Sequence, residues 1–499
     1  MTTLTAPMGS VYRSSHAGAT ASRGAVRALR PRPGPLLALA ALMALHVLAL
    51  SQQATPLRAV SGLPIAVILP GALALRIIGG RPRRGWDWLL HAIALSLLGL
   101  SVVGLILALL PGGALTTVGS LLGLDVLLAV LALGVTLTGR RRVGRPSAAP
   151  FAWKRSMVPP PLGLLAITLG AAAVGLAVAG ARHLNAGGSP AGVMLAIGVA
   201  ATALATATVA AGPRGSTAAA TTIYLVALAV LLATSLRGTG VTGHDIKIEY
   251  RVFTDTLESG SWRPGGLFPG YNSCLSITVL PAFFARLLGI PALDVFRVCF
   301  QMLFAVVPVG VYLGARRLLP PPYAVLAAAL VLAFPTFVND MPMLNRQEIA
   351  LIFFTVLVLN LMESGRARRQ QLVMFAVAAV GLTVSHYTST DVAAQLLLMA
   401  WILRRFQQAV RRRRARSHPV PPRPTRAPAL GLPAAVLLVA AVGWPLVAGS
   451  ASAFGETLKS SVASVTAGAS AASTSTSYSF FSSPPERTDA EVLDAHLAE

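Results

Sequence analysis

The sequence predicts an all-α, polytopic membrane protein, a bundle of about thirteen transmembrane helices. Hydrophobic residues make up 55% of the 499 positions, whereas charged residues make up only 12%. Uncharged runs rich in Ala, Leu, Val and Gly approach or exceed the ~18 residues that a membrane-spanning helix needs. Clear examples are 88–110, 121–138, 192–212 and 429–447. Inside a bilayer only a helix satisfies the backbone polar groups of such a run.

The predicted spans form two groups, separated near residue 217. The first group is a six-span extension over 35–216, with spans near 35–51, 63–80, 88–110, 121–138, 161–180 and 192–212. The second group is a seven-span core over 217–447, with spans near 217–236, 295–314, 323–337, 349–362, 372–385, 389–403 and 429–447. A basic N-terminal segment (1–34) precedes both groups, and an external low-complexity tail (448–499) follows them.

The formal net charge of +24 reflects topology, not nucleic-acid binding. Lys and Arg collect in the N-terminal segment and in loops such as 81–86, 139–155 and 405–428, and the last of these is expected to be flexible. The positive-inside rule places these segments in the cytoplasm. A nucleic-acid partner would require a soluble basic face with aromatic or motif support, which the sequence lacks. We therefore expect a multi-pass protein of the cell membrane with a cytoplasmic N-terminus.

The same topology places the longest polar loop, 237–294, outside the cytoplasm. Its stretch Leu275–Gly289 contains Pro281 and Arg286 and is short for a span. A crossing here would also move the later Arg clusters to the outer side, against the positive-inside rule. We therefore expect this stretch to be an interfacial amphipathic helix that lies on the outer surface.

Three outer turns hold most of the candidate functional residues. Their sequences are TGHDIKIEY (242–250), NDMPMLNRQE (339–348) and SHYTSTD (385–391). Ionisable groups at the ends of spans usually face a cavity or the protein interior, because hydrocarbon is costly for them. The candidates are His244, Asp245, Glu249, Trp262, Tyr271, Asn272, Asp340, Arg346, Glu348, His386 and Tyr387.

Each main candidate also has a structural interpretation. Asp245 suits a helix cap or loop anchor, and Glu249 suits a solvated loop charge. Arg346 suits a phosphate ligand, because arginine bonds phosphate in a bidentate manner; it equally suits an ion pair within its own loop. His386 beside an aromatic residue is also typical of the membrane interface. The sequence contains no zinc, P-loop, dinucleotide or lipase-type motif.

Four stretches together resemble an uncharacterised family of predicted polytopic membrane proteins: GHDIKIEY (243–250), YNSCLSITVLP (271–281), MPMLNRQEIALIFF (341–354) and SHYTST (385–390). More distantly, the layout of residues 217–447 is similar to the polyprenyl-phosphate-dependent glycosyltransferases of the C superfamily (GT-C). Those enzymes carry an acidic residue in the first outer loop of a seven-span core. Interfacial helices follow that residue, and further polar residues occupy the second outer loop.

The resemblance implies roles for the candidate residues. Asp245 would be the catalytic base with Glu249 beside it, and Asp340 or Glu348 would be the acid of the second outer loop. Arg346 would bind the donor phosphate, with the remaining candidates around the pocket: His386, Tyr387, His244, Trp262, Tyr271 and Asn272. A divalent cation (Mg or Mn), if one is used, would bind Asp245 and Asp340. Many of those enzymes have Asp followed directly by Glu, whereas Ile246 follows here.

The resulting hypothesis is a membrane glycosyltransferase. It would move a sugar, with inversion, from a polyprenyl-phosphate-linked donor to a glycan, lipid or protein acceptor on the extracytoplasmic face. One alternative is a transporter or lipid flippase, which would carry ionisable or broken-helix features near the bilayer midplane. The predicted extension is nearly uncharged there, with Asp125 as the main exception. A second alternative is a non-catalytic envelope assembly protein.

Overall fold

The computed structural model describes residues 33–50, 56–79, 85–140, 159–212, 216–266, 268–363, 367–417 and 431–451, together with 455 and 459. These residues are largely helical and contain no strand, which confirms the all-α prediction. Nearly all of the predicted basic segment 1–34, most of the basic loop 139–155 and most of the tail 448–499 lie outside the described residues.

The first seven helices are long and apolar. They are α1 (Pro33–Leu50), α2 (Pro56–Ile78), α3 (Gly85–Leu109), α4 (Thr117–Arg140), α5 (Pro161–Asn185), α6 (Ala191–Ala210) and α7 (Ser216–Ser235). Helices α5, α6 and α7 pack closely together at positions occupied by Ala and Gly. Helices α2 and α3 approach even more closely: a Cβ atom on Gly71 would lie 1.9 Å from the backbone oxygen of Ala92. Only glycine fits at that position.

The remaining helices alternate between short and long. They are α8 (Asp245–Ser259), α9 (Val279–Leu288), α10 (Ala292–Ala315), α11 (Pro321–Leu332), α12 (Asn345–Leu361), α13 (Arg368–Ser385), α14 (Tyr387–Ser417) and α15 (Gly431–Val447). A single helical turn, Pro269–Asn272, lies between α8 and α9. The prediction of a flexible loop over 405–428 is therefore wrong up to Ser417, because α14 continues to that residue. The part 418–428 lies outside the described residues.

A helix lies at each of the thirteen predicted spans. Among the described residues, seven helices are long and apolar enough to cross a membrane, or eight when one bent pair counts as a single span. The total of thirteen therefore stays a prediction. The bent pair is α11 with the segment Thr336–Met343, and its two parts meet at 59°. Pro335 stands at this break, where a helix would lose a backbone donor.

The helix predicted to lie on the outer surface is instead buried. Every residue of α9 except Arg286 is buried, and the helix packs against α2, α3, α4 and α8. The guanidinium of Arg58, at the start of α2, donates to the backbone oxygens of Leu287 (3.0 Å) and Arg286 (2.6 Å) at the end of α9. A positive group stabilises a helix C-terminus. Protein covers the helix because the predicted extension packs on a face that the local sequence suggests is free. Its position at the membrane interface stays a prediction.

Candidate active site

The three polar turns singled out in the sequence lie together at one end of the bundle. The loop after Pro269–Asn272 bonds to the α13–α14 turn: Leu275 N–H donates to Val384 O, and Ser276 Oγ donates to Ser385 O, both at 2.8 Å. Helices α8 and α12 also contact each other. After the bend at the end of α11, the chain runs back to the start of α8. Residues that are distant in sequence therefore share one site.

Gly243 allows the first and second turns to approach. Its φ is +133°, a conformation that side chains rarely adopt, and an added Cβ would lie 2.9 Å from the Cβ of Met343. Met343 belongs to the short 3₁₀ segment just before α12. The close contact fixes the start of α8 against the start of α12, which brings Asp245 beside Arg346.

Arg346 is the centre of the site. Its side chain is only 6% exposed, and Nη2 donates to Asp245 Oδ2 at 2.8 Å. Its Nε lies 3.1 Å from Glu249 Oε1, and its backbone N–H donates to Glu249 Oε2 at 3.3 Å. Asp245 and Glu249 stand one helical turn apart on α8, so both face α12. The guanidinium thus bridges two carboxylates, while its Nη1 has no hydrogen-bond partner.

Aromatic rings enclose the guanidinium. The Arg346 Cζ atom lies 4.0 Å from the centroid of the Tyr271 ring and 6.0 Å from that of Tyr387. Such stacking is favourable for a cation and is stronger where water is excluded. Burial also raises the pKa of Tyr271 above its ordinary value. The rings therefore hold Arg346 in one orientation and leave Nη1 and Nη2 as its hydrogen-bonding ends.

A fully buried polar layer lies next to this pair. Glu348 has no exposed surface, and Gln301 Nε2 donates to its Oε2 at 3.4 Å. Asn345 Nδ2 donates to the backbone oxygen of Phe296 at 3.3 Å. The other oxygens of these side chains, Glu348 Oε1, Gln301 Oε1 and Asn345 Oδ1, have no hydrogen-bond partner. Sequence reasoning missed Gln301, although a lone glutamine in an apolar span is a detectable signal.

His386 completes the site from the third turn. It is 4% exposed, and its Nδ1 accepts a hydrogen bond from the backbone N–H of Ser389 (3.4 Å), with Ser389 Oγ at 2.7 Å. Burial lowers the pKa of His386 to about 3, and the positive charge of Arg346 acts in the same direction. The imidazole is therefore neutral near pH 7, with its proton on Nε2. A neutral ring can donate a hydrogen bond without adding charge.

None of the described contacts joins the remaining predicted residues to Arg346. Asp340 is exposed, and none of the described contacts joins it to Asp245 or Arg346. His244 is largely exposed, with its Nδ1 3.4 Å from Asp245 Oδ1. Trp262 and Asn272 bond to each other: the indole N–H donates to the Asn272 backbone oxygen at 2.9 Å.

The donor set does not suit the predicted divalent cation. Among the described residues, no group of three or more His, Cys, Asp or Glu side chains is arranged to hold a metal ion. The space between Asp245 and Glu249 is taken by the guanidinium of Arg346, which contacts both carboxyl groups. No described contact joins Asp340 to Asp245, and a divalent cation at this pair stays a prediction.

Glu249 is expected to make stability depend on pH. Burial raises its pKa to about 8, while the guanidinium of Arg346 acts in the opposite direction. A carboxyl whose pKa is raised on folding stabilises the protein fully below its unfolded pKa, and this contribution is lost as the pH rises through the folded value. We expect the melting temperature of the wild type to fall between pH 5 and pH 9, and Glu249→Gln to reduce that fall. An unchanged fall in the variant would contradict the assignment; Glu258→Gln, on the exposed face of α8, is the control.

A comparison with known protein families finds a match that covers the part of this site formed by residues after 277. Residues 277–416 match the family model described as dolichyl-phosphate-mannose-protein mannosyltransferase. The match confirms the resemblance to GT-C enzymes, and it indicates a membrane glycosyltransferase of that type, which uses polyprenyl-phosphate-sugar donors. It includes Arg346, Glu348, His386 and Tyr387, whereas Asp245 and Glu249 precede it. No curated protein and no solved structure matches the chain significantly.

Proposed function

We propose that the protein transfers a sugar from a polyprenyl-phosphate donor to a hydroxyl group of an acceptor on the extracytoplasmic face. The observation that carries this proposal is the buried guanidinium of Arg346, which is bonded to Asp245 and has a free Nη1. Arginine is well suited to phosphate, because its planar N–H groups match two phosphate oxygens. The excess of Lys and Arg in the opposite loops supports the extracytoplasmic side for this end of the bundle.

In the proposed reaction the donor phosphate replaces Asp245 at Arg346. The phosphate oxygens accept hydrogen bonds from Nη1 and Nη2, which frees the Asp245 carboxylate. Asp245 then accepts the proton of the acceptor hydroxyl while the acceptor oxygen forms a bond to the anomeric carbon. The bond from that carbon to the phosphate oxygen breaks, and its electron pair leaves with the polyprenyl phosphate. A direct displacement of this kind inverts the anomeric configuration.

Glu249 has a positioning role in this proposal. It has no exposed surface, so it cannot touch an acceptor hydroxyl, and it contacts both the side chain and the backbone N–H of Arg346. Fixed groups that stabilise charge on a leaving group contribute strongly in sites that exclude water. His386, with its proton on Nε2, and the buried layer of Glu348 and Gln301 support the same site from the other helices.

The proposal is tested with the full chain reconstituted in liposomes. The liposomes contain polyprenyl phosphates that carry radiolabelled mannose, glucose or arabinose, and candidate acceptors are added outside. We expect release of free polyprenyl phosphate together with labelled product. Movement of an intact labelled lipid between the leaflets, with no cleavage of the sugar–phosphate bond, would overturn the proposal in favour of a flippase.

A further inference from the structure

A cleft lies along the C-terminal half of α8. Its volume is about 310 Å³, within the range of small-molecule sites. The lining is rich in polar side chains: Val252, Asp255, Thr256, Ser259, Ser261, Trp262, Arg263, Gly266 and Asn272. None of these residues contacts Arg346 in the described structure, so the cleft is separate from the ionic cluster.

The cleft and the ionic cluster are nevertheless joined along one face of α8. Glu249, Val252 and Thr256 are spaced by three and four residues, so they form one buried stripe. The helix rises about 10 Å between Glu249 and Thr256 at 1.5 Å per residue. Asn272, which lines the cleft, directly follows Tyr271, whose ring stacks on Arg346. The cleft therefore lies on the face of α8 that carries Asp245 and Glu249, about two to four helical turns from Asp245.

The lining is suited to a neutral ligand with many hydroxyl groups. The Thr256 and Ser259 hydroxyls donate to backbone oxygens of α8, at 2.9 and 2.7 Å, and Ser259 Oγ also accepts from the Ser261 backbone N–H at 3.3 Å. At least one lone pair on each oxygen remains for a donor from a ligand. Asp255, whose Oδ1 lies 3.2 Å from Arg251 Nε, adds acceptor oxygens, and Arg263 adds exposed donors. An alkyl chain would leave these polar groups unpaired, which is unfavourable.

One side of the cleft is rigid. Trp262 is 5% exposed, and its indole N–H is fixed by the Asn272 backbone oxygen. Its ring also stacks on Trp444 at 6.5 Å, whose own N–H donates to Ser273 O at 3.0 Å. Pre-organised aromatic and polar groups bind a ligand without paying the cost of ordering them. Trp262 and Asn272 therefore form a fixed wall of the cleft.

We infer that this cleft binds the saccharide part of the acceptor, an oligosaccharide whose terminal hydroxyl reaches Asp245. The inference rests on the proposed function, and it specifies a glycan acceptor rather than a lipid or a protein. The cleft would hold the sugar units next to the reacting one, so it would determine which glycans are extended.

The test measures binding of the full chain, purified in detergent and fluorescently labelled, to an array of neutral oligosaccharides and to an array of serine- and threonine-containing peptides. We expect wild type to bind a subset of the oligosaccharides. Ser259→Trp, which fills the cleft, is expected to weaken that binding by more than about tenfold. The control Glu258→Trp changes the neighbouring exposed residue, which does not line the cleft, and is expected to bind as wild type does. Binding to peptides alone, no oligosaccharide binding, or equal binding by Ser259→Trp would each overturn the inference.

A second measurement separates this inference from the proposed function. Sugar transfer by Ser259→Trp to the bound oligosaccharides is expected to show a raised acceptor KM with an unchanged donor KM. If Ser259→Trp transfers with wild-type acceptor KM, the cleft is not the acceptor site, although the enzyme is still a transferase. If wild type binds the oligosaccharides but cleaves no polyprenyl-phosphate sugar, the proposed function fails while the saccharide cleft stands.

Discussion

Asp245→Asn is expected to lower the rate of sugar transfer by about 10²–10⁴-fold, the usual contribution of a positioned proton acceptor. An amide has nearly the shape of a carboxylate and can still accept the hydrogen bond from Arg346, but it cannot take the proton of an acceptor hydroxyl. The side chain of Asp245 is 30% exposed, so the change leaves no buried gap. The measurement is labelled product per unit time, with donor and acceptor both saturating.

The control for this variant is Glu258→Gln, which removes one carboxylate from the exposed face of the same helix. Its transfer rate is expected to equal that of the wild type, and both variants should elute from a sizing column as wild type does. A transfer rate for Asp245→Asn within threefold of the wild type would remove Asp245 from the role of base.

Arg346→Lys is expected to raise the donor KM by about 10- to 100-fold, because a charged hydrogen bond contributes about 1.5–3 kcal/mol. Lysine keeps the positive charge, but it lacks the planar pair of N–H groups and stacks less well on the ring of Tyr271. The acceptor KM should change little, because the acceptor does not bind the guanidinium. Initial rates measured while each substrate is varied in turn separate the two constants.

Arg251→Lys is the matched control, because Arg251 is exposed on α8 and pairs only with Asp255 among the described ion pairs. Equal increases in both KM values for Arg346→Lys would indicate a purely structural ion pair. Arg346→Met tests stability separately: loss of one partner of a buried ion pair costs about 3–5 kcal/mol. That variant is expected to melt at a markedly lower temperature above pH 8, where the ionised Glu249 would be left without a positive partner.

The residues of the site were largely accessible from the sequence, but their arrangement was not. The polar turns are conspicuous in an apolar chain, and their shared side follows from the parity of spans. Which carboxylate is buried depends on tertiary contacts: Glu249 has no exposed surface, whereas Asp340 is exposed, although both are acids in outer turns. Stacking of Tyr271 on Arg346 likewise joins residues from different helices, which no local pattern encodes.

The fold, too, was predictable from the sequence only in part. Helix positions follow from the apolar runs, because the hydrocarbon thickness sets their length. The burial of α9 could not be predicted, since the stretch Val279–Leu288 has the pattern of a surface helix and its covering comes from α2, α3 and α4. The break at Pro335 is visible in the sequence, but the 59° angle that returns the chain to α8 is set by packing.

The packing of α9 against α2 and α3 limits how far the chain can be shortened from its N-terminus. Leu288 lies against Gly62 of α2, and Val279 lies against Gly104 of α3, while Arg58 binds the end of the helix. A fragment that began at α7 would lose these neighbours and would expose a row of aliphatic and aromatic groups at the end of the bundle that carries the site. We therefore expect that the matched segment 277–416 does not fold by itself, and that a protein truncated to this segment is insoluble or disordered.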